Sequence, residues 1–285
     1  MADISAADVK RLRDKTGAGP MECKNALVST NGDFDQAEKL LKEKGLAALE
    51  KRSGRTTNEG KIFVKIKEDC SAAVLVELSS ETDFVARNDD FIALGEAIAA
   101  KSLEKGFTEP NDELSGMVTE LATKIRENMG LKRIRLVTAG PGEYLTKYIH
   151  GEGNIGVVVK AGTDKPEIFK DDEVKAFVFS LALHIAAFNP YALDKSKIDP
   201  AYIKDQEEIF RKQMEQDEKL KGKPANVLEG ILKGKINKHL SEICLLEQGY
   251  VKDEKLSVAK AIDEAGKKAG AKLEIADYVY FKVGV

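Results

Sequence analysis

Apolar residues recur along this chain with two different periods, and the change of period divides it. Over residues 1–54 the spacing is helical. Ser5 with Asp8 three positions later forms a capping-box pattern, and Val9 and Leu12 give the helix that follows an apolar face. Thr16-Gly17-Ala18-Gly19-Pro20 interrupts it, and Pro20 suits the first turn of a second helix carrying Met21, Ala26, Leu27 and Val28. Asn31-Gly32 predicts a turn. Asp33 then caps a third helix through Phe34, Ala37, Leu40 and Leu41, with Gly45 as its C-terminal stop. Three short helices make a minimal core, marginal on its own. Residues 51–60 contain no apolar side chain and read as a linker.

Beyond the linker the pattern predicts strands at 61–67 and 72–78 and a helix at 89–100. It returns as strands at 144–150 and 155–161 and a helix at 174–187, and both helices end in Ile-Ala-Ala. A helix near 111–130 and a strand at 132–137 extend the first half, and a strand at 276–283 closes the second. Paired strands covered by helices predict the α+β class, as a duplicated core of antiparallel sheets. The first core subdomain is 55–140. The second is 141–199 with 248–285. Between its parts, 200–247 places Ile203, Phe210 and Met214 on one helical face. After Gly222-Lys223-Pro224, a second stripe carries Leu228, Ile231, Leu232, Ile236, Leu240 and Ile243. This predicts an inserted antiparallel helical hairpin. Its stripe either packs on its own core or extends into a dimer contact.

Composition narrows the function. The 285 residues include 45 Lys and Arg against 48 Asp and Glu, interleaved, for a net charge of -3. A general nucleic-acid binder needs a concentrated positive surface instead. The 42% hydrophobic and 33% charged content reads as soluble and globular. No apolar run reaches the roughly 18 residues of a membrane span, and the N-terminus lacks the pattern of a signal peptide. Cys23, Cys70 and Cys244 are odd in number, far apart and without CxxC spacing, which predicts reduced thiols in a cytosol and no zinc site.

Candidate chemistry is sparse. Gly151-Glu152-Gly153-Asn154-Ile155-Gly156 matches GxGxxG, but a strand pattern follows it where a dinucleotide fold needs a helix, so the glycines predict a hairpin turn. No GxxxxGK[ST] phosphate loop is present, and no two of His150, His184 and His239 lie at metal-pair spacing. No cofactor, no metal and no catalytic group are expected. His184 reads as a helix residue at a core edge, or as a hydrogen-bond partner for another protein. Thr82 and Asp83 read as turn or cap residues. Phe84 either covers the core or stands exposed, as its neighbours Glu81, Arg87, Asn88, Asp89 and Asp90 argue. Exposed aromatics are common binding hot spots.

Two stretches carry a resemblance. Residues 12–27, from Leu12 through Thr16-Gly17-Ala18-Gly19-Pro20 to Leu27, and residues 77–87, containing Thr82-Asp83-Phe84-Val85-Ala86-Arg87, resemble the two signatures of the elongation factor Ts family. Its members are bacterial nucleotide-exchange factors for the translational GTPase elongation factor Tu. Ser79 departs from the family pattern, which usually has Asn there. The resemblance implies a ubiquitin-associated-like helical domain touching the GTPase through Leu12, Arg13, Thr16, Gly17, Met21 and Lys24. It implies that Thr82, Asp83, Phe84, Val85, Ala86 and Arg87 dislocate magnesium from elongation factor Tu, with Phe84 as the wedge. His184 and Ile185, with His150-Gly151 and Ile155-Gly156, would belong to the half facing the third domain of that partner. The hairpin at 200–247 matches the family's dimerisation region. The chain stops at Val285, so the extra C-terminal helix of some members is expected to be missing. The resemblance further implies a cytoplasmic protein that binds elongation factor Tu, no nucleic acid and no membrane, and that is not an enzyme. The alternative is a non-catalytic interaction scaffold with a dimerising hairpin.

Overall fold

The computed structural model describes residues 4–285 and is of the α+β class. The chain opens with α1 (Ala6–Thr16), α2 (Pro20–Ser29) and α3 (Phe34–Glu50). Local chemistry sets their starts. Ser5 Oγ accepts from the Asp8 N–H at 3.1 Å while the Asp8 carboxylate accepts from the Ser5 N–H at 3.4 Å, which satisfies two of the free donors of α1. Asp33 caps α3 through the Gln36 N–H at 3.0 Å. Leu12, Ala18, Cys23, Ala26, Leu27, Ala37 and Leu41 form a small core of their own. Gly45 does not stop α3, which continues to Glu50. The missing side chain serves a close approach: a Cβ at Gly45 would lie 2.4 Å from the Thr123 methyl carbon.

The first sheet holds β1 (Glu59–Ile66), β2 (Ala72–Ser80) and, after three helices, β3 (Met129–Thr138). Those helices are α4 (Asp83–Ala86), α5 (Asp89–Lys105) and α6 (Asp112–Ile125). The sheet order is β1-β2-β3, antiparallel throughout, with Phe63 opposite Val76 and Val76 opposite Ile134. All nine residues of the central strand are buried. Val74, Val76 and Leu78 point to one side, as the strand period of two requires, and join a cluster with Phe91, Ile98, Leu114 and Val118 of α5 and α6. On the other side Glu77 is a buried carboxylate, 3% exposed. Its charge is met by Arg133 at 2.5 Å and by the Gly284 N–H at 3.0 Å. Arg133 also lies 4.1 Å over the Phe281 ring.

The second sheet, ordered β4-β5-β8, comprises β4 (Glu143–His150), β5 (Ile155–Thr163) and β8 (Leu273–Lys282). Four residues join β4 to β5, too few for a parallel crossover. Gly151 and Gly153 adopt φ of 61° and 101°, so the first two GxGxxG glycines serve that turn, while Gly156 lies in β5. Between β5 and β8 run α7 (Asp172–Phe188), α8 (Pro200–Gln216), α9 (Ala225–Ile243), the short pair β6 (Gly249–Tyr250) and β7 (Asp253–Ser257), and α10 (Val258–Ala269). The sequence reading left β6, β7 and α10 unassigned. Tyr202 meets His239 and Arg211 meets Glu229, so α8 and α9 pair in opposite directions. Met214, Leu232, Ile236, Leu240 and Cys244 lie in the cluster they share with 192–198.

The chain divides into two compact units. One comprises Met1–Thr138, Ile149–Gly156 and Phe281–Val285, and the other Ala139–Tyr148 and Val157–Tyr280.

Candidate partner-binding site

Phe84 is the most exposed large apolar side chain inside a defined element, at 82%. It sits on α4, a single helical turn, and the exposure comes from how that turn is held. Thr82 is its N-cap: Oγ1 accepts from the Val85 N–H at 3.4 Å and donates to both carboxylate oxygens of Glu127 at 3.1 Å. Ser80, fully buried, donates through its hydroxyl to the Thr82 carbonyl at 2.9 Å. The Glu81 carboxylate accepts the Asn128 N–H at 2.6 Å and pairs with Arg55 at 3.0 Å. The Asn128 hydrogen bond, seconded by Arg55, holds the Glu81 carboxyl below the usual carboxylate range. Val85 and Ala86, 7% and 5% exposed, plug into the core beneath. The ring thus faces solvent because its two successors face inward. Asp83 and Arg87 flank it 3.8 Å apart, and Arg87 also reaches Glu152 at 3.5 Å. Such a turn presents an aromatic anchor already ordered, which spares the entropy of fixing it on binding.

The resemblance named six residues here, and the structure separates them. Thr82, Asp83, Phe84 and Arg87 reach the surface. Val85 and Ala86 instead fill the space between the turn and the core beneath it. Near the N-terminus the same division holds. Arg13, Met21 and Lys24 are exposed, Met21 at 66%. Leu12 is fully buried at the centre of the three-helix core and is corrected to a packing residue. Thr16 is half-buried and donates to the Leu12 carbonyl at 2.7 Å. Gly17 is exposed and closes α1 in the left-handed region, donating to the Arg13 carbonyl at 2.7 Å. Val28, 48% exposed, lies two turns beyond Met21 on α2 and was not singled out.

His184 and Ile185 lie in the other unit and are both fully buried. Both imidazole nitrogens are engaged internally. Nδ1 accepts the Val251 N–H at 3.2 Å, so Nε2 carries the proton and donates to Gln248 Oε1 at 2.9 Å. The Gln248 amide in turn donates to the Glu242 carbonyl at 2.7 Å. Burial pushes the His184 pKa below 6.5, with Gln248 offsetting part of the shift. His184 is therefore a neutral clamp between α7 and residues 248–251, and the hydrogen bond to a partner is corrected. What α7 exposes nearby is Phe188, 48% exposed, whose ring centroid lies 4.6 Å from that of His184.

Sequence reasoning missed the supports of the turn, Glu127, Asn128 and Arg55. They lie 26 to 47 residues from their partners in the chain, and no local period signals such contacts. Among the described residues no group of three or more His, Cys, Asp and Glu side chains could hold a metal ion, and no helix is long and apolar enough to cross a membrane.

The sequence model of the family described as Elongation factor TS matches residues 81–285. The chain belongs to the elongation factor Ts family. It is 53% identical over 283 aligned positions to an elongation factor Ts of Treponema denticola, with 99% of both chains covered. It is 46% identical over 292 positions to that of Treponema pallidum strain Nichols and 43% over 282 to that of Borrelia hermsii, again with 99% of each chain covered. Phe84 and its turn fall inside the segment matched to the elongation factor Ts model, whereas α1–α3 precede it.

Proposed function

We propose that this chain is a guanine-nucleotide exchange factor for elongation factor Tu in the cytoplasm. It binds the GDP form, and the Phe84 ring wedges beside the magnesium and phosphate site. Metal and phosphate then lose their fit, GDP leaves, and GTP rebinds and displaces the factor. No covalent bond is made or broken, so it is not an enzyme in the bond-making sense, and it needs no cofactor. Thr82, Asp83 and Arg87 shape the turn, while Val85 and Ala86 seat it. The ubiquitin-associated-like domain, residues 1–54, adds a contact through Arg13, Met21 and Lys24. The core subdomains, 55–140 and 141–199 with 248–285, carry the wedge and a second contact surface, to which Phe188 contributes and which His184 and Ile185 support from inside. The helical hairpin within 200–247 is the dimerisation insertion.

One observation carries this reading: an aromatic ring 82% exposed on a turn that polar and buried neighbours hold in place. An unbound protein has no packing reason to expose such a ring, and interfaces are anchored by such residues. Exchange follows from linkage. If the factor favours the nucleotide-free partner, GDP and factor weaken each other's binding by the same factor. A thousandfold faster release needs about 4 kcal/mol of preferential stabilisation, within reach of one anchor plus a broad surface.

The test is release of a fluorescent GDP analogue from elongation factor Tu with and without the full chain. Acceleration that rises with concentration and saturates is expected. Binding without acceleration would instead mark the chain as an interaction scaffold.

A further inference from the structure

Three consecutive residues, Arg126, Glu127 and Asn128, leave α6 and enter β3, and each reaches a different part of the first unit. Arg126 ends α6 at φ 68° and ψ 30°, in the left-handed region that non-glycine residues seldom adopt. Such a conformation persists where its surroundings over-determine it. Its guanidinium pairs with the Glu22 carboxylate on α2, and its carbonyl accepts from Arg52, just past the end of α3. That pair, with the Gly19 N–H, holds the Glu22 carboxyl below its ordinary range. Glu127 receives the Thr82 hydroxyl. The Asn128 N–H goes to Glu81, and its side-chain amide donates to the Arg55 carbonyl at 2.9 Å and the Ser53 carbonyl at 3.3 Å. Less than one turn before Arg126, Thr123 packs against Gly45 of α3. The segment therefore touches α2, the 51–58 connection and both residues that open the Phe84 turn, and the last turn of α6 before it packs on α3.

The Arg126–Glu22 pair is exposed, and alone it would contribute little. The convergence is what matters. A left-handed residue turns the chain off the path of α6, so the Arg126 side chain serves the helical module, the Glu127 carboxylate and the Asn128 N–H serve the wedge, and the Asn128 amide ties the connection between them.

We propose that residues 126–128 are a positioning link. They hold the exposed α2 face, with Met21, Lys24 and Val28, at one fixed spacing from Phe84, so that a single partner meets both surfaces at once. This rests on the exchange-factor reading. Two surfaces held rigidly engage a partner as one site, whereas loosely tethered surfaces engage it in two steps at a lower effective concentration. Phe84 keeps its own seat through Val85 and Ala86. Loosening the link must therefore raise the concentration needed for half-maximal exchange and leave the limiting rate alone.

The test follows GDP release from elongation factor Tu against the concentration of the full chain. The double variant R126A/N128A should need about tenfold more protein for half-saturation, with a limiting rate within about twofold of wild type. Arg126→Lys, which keeps a cation for Glu22, should stay within about twofold. Asn128→Asp keeps the shape but cannot donate to the Ser53 and Arg55 carbonyls, and should cost about threefold. It replaces the double variant if that fails to fold. An unchanged half-saturation, or a fall in limiting rate alone, overturns the proposal. An independent readout is the distance distribution between spin labels at Asn25→Cys and Asp89→Cys in a Cys70→Ser background. It should be narrow, and should broaden in R126A/N128A; equal widths overturn the link. If the unaltered chain releases no GDP, the exchange reading fails, and the label distances still decide the link.

Discussion

Phe84 and His184 both stand in segments that resemble the same family, and both were expected to touch a partner. The fold treats them oppositely. Phe84 is 82% exposed on a turn braced from below, while His184 is fully buried with both ring nitrogens used at home. A shared motif therefore mixes residues that present a surface with residues that shape it. The difference lies in where the tertiary partners come from. The Phe84 ring is left to solvent, and His184 is met by residues 64 and 67 positions further along the chain.

The comparison breaks most sharply at His184. Replacing His184 by Ala strands the buried Gln248 oxygen, removes the acceptor of the half-buried Val251 N–H and leaves a void, which should cost about 3 kcal/mol of stability. Urea unfolding measures this, and the limiting rate of nucleotide release by the surviving folded fraction should be unchanged. Phe84→Ala should do the reverse: about 2 kcal/mol lost from exchange, some thirtyfold in rate, with an unfolding midpoint like that of the parent. Thr82→Val is intermediate. It removes the N-cap and the hydroxyl donated to Glu127, so about 1 kcal/mol should be lost from stability, and exchange should fall a few-fold as the turn loosens.

The smallest effect is a pH dependence. Because the folded-state pKa of His184 lies below 6.5, its unfolded form binds a proton that the folded form refuses. The stabilisation from the neutral ring is complete above pH 6.5 and is lost as pH falls from there towards the lowered folded value. Unfolding curves from pH 7.5 down to pH 5 should show this decline (pH values about those spanning an ordinary histidine titration). The part due to this residue should vanish in His184→Gln.

Much of the architecture was legible where periodicity is long. The stripe from Leu228 to Ile243 gives α9, the capping chemistry of Ser5 and Asp33 gives two helix starts, and the short apolar run in 72–78 gives the central strand. The helix α10 was legible and missed. Val258, Ala261, Ile262 and Gly266 follow helical spacing and are buried, but only two of the four carry a large apolar side chain. Gly45 misled because a glycine within a helix can mark close packing as well as an end. At the site, the split between Phe84 and its two buried successors was out of reach, since no period can be read from four residues. The braces from Glu127 and Asn128 depend on a helix end forty-odd residues away and on the left-handed backbone at Arg126, which residue type does not announce.

The central claim is that the Phe84 ring itself drives release. The most direct measurement is the limiting rate of GDP release from elongation factor Tu at saturating factor, for the parent chain and for Phe84→Ala, with unfolding midpoints taken on the same samples. The account predicts a limiting rate lower by more than about tenfold with no change in midpoint. Equal limiting rates from two equally stable proteins would contradict it.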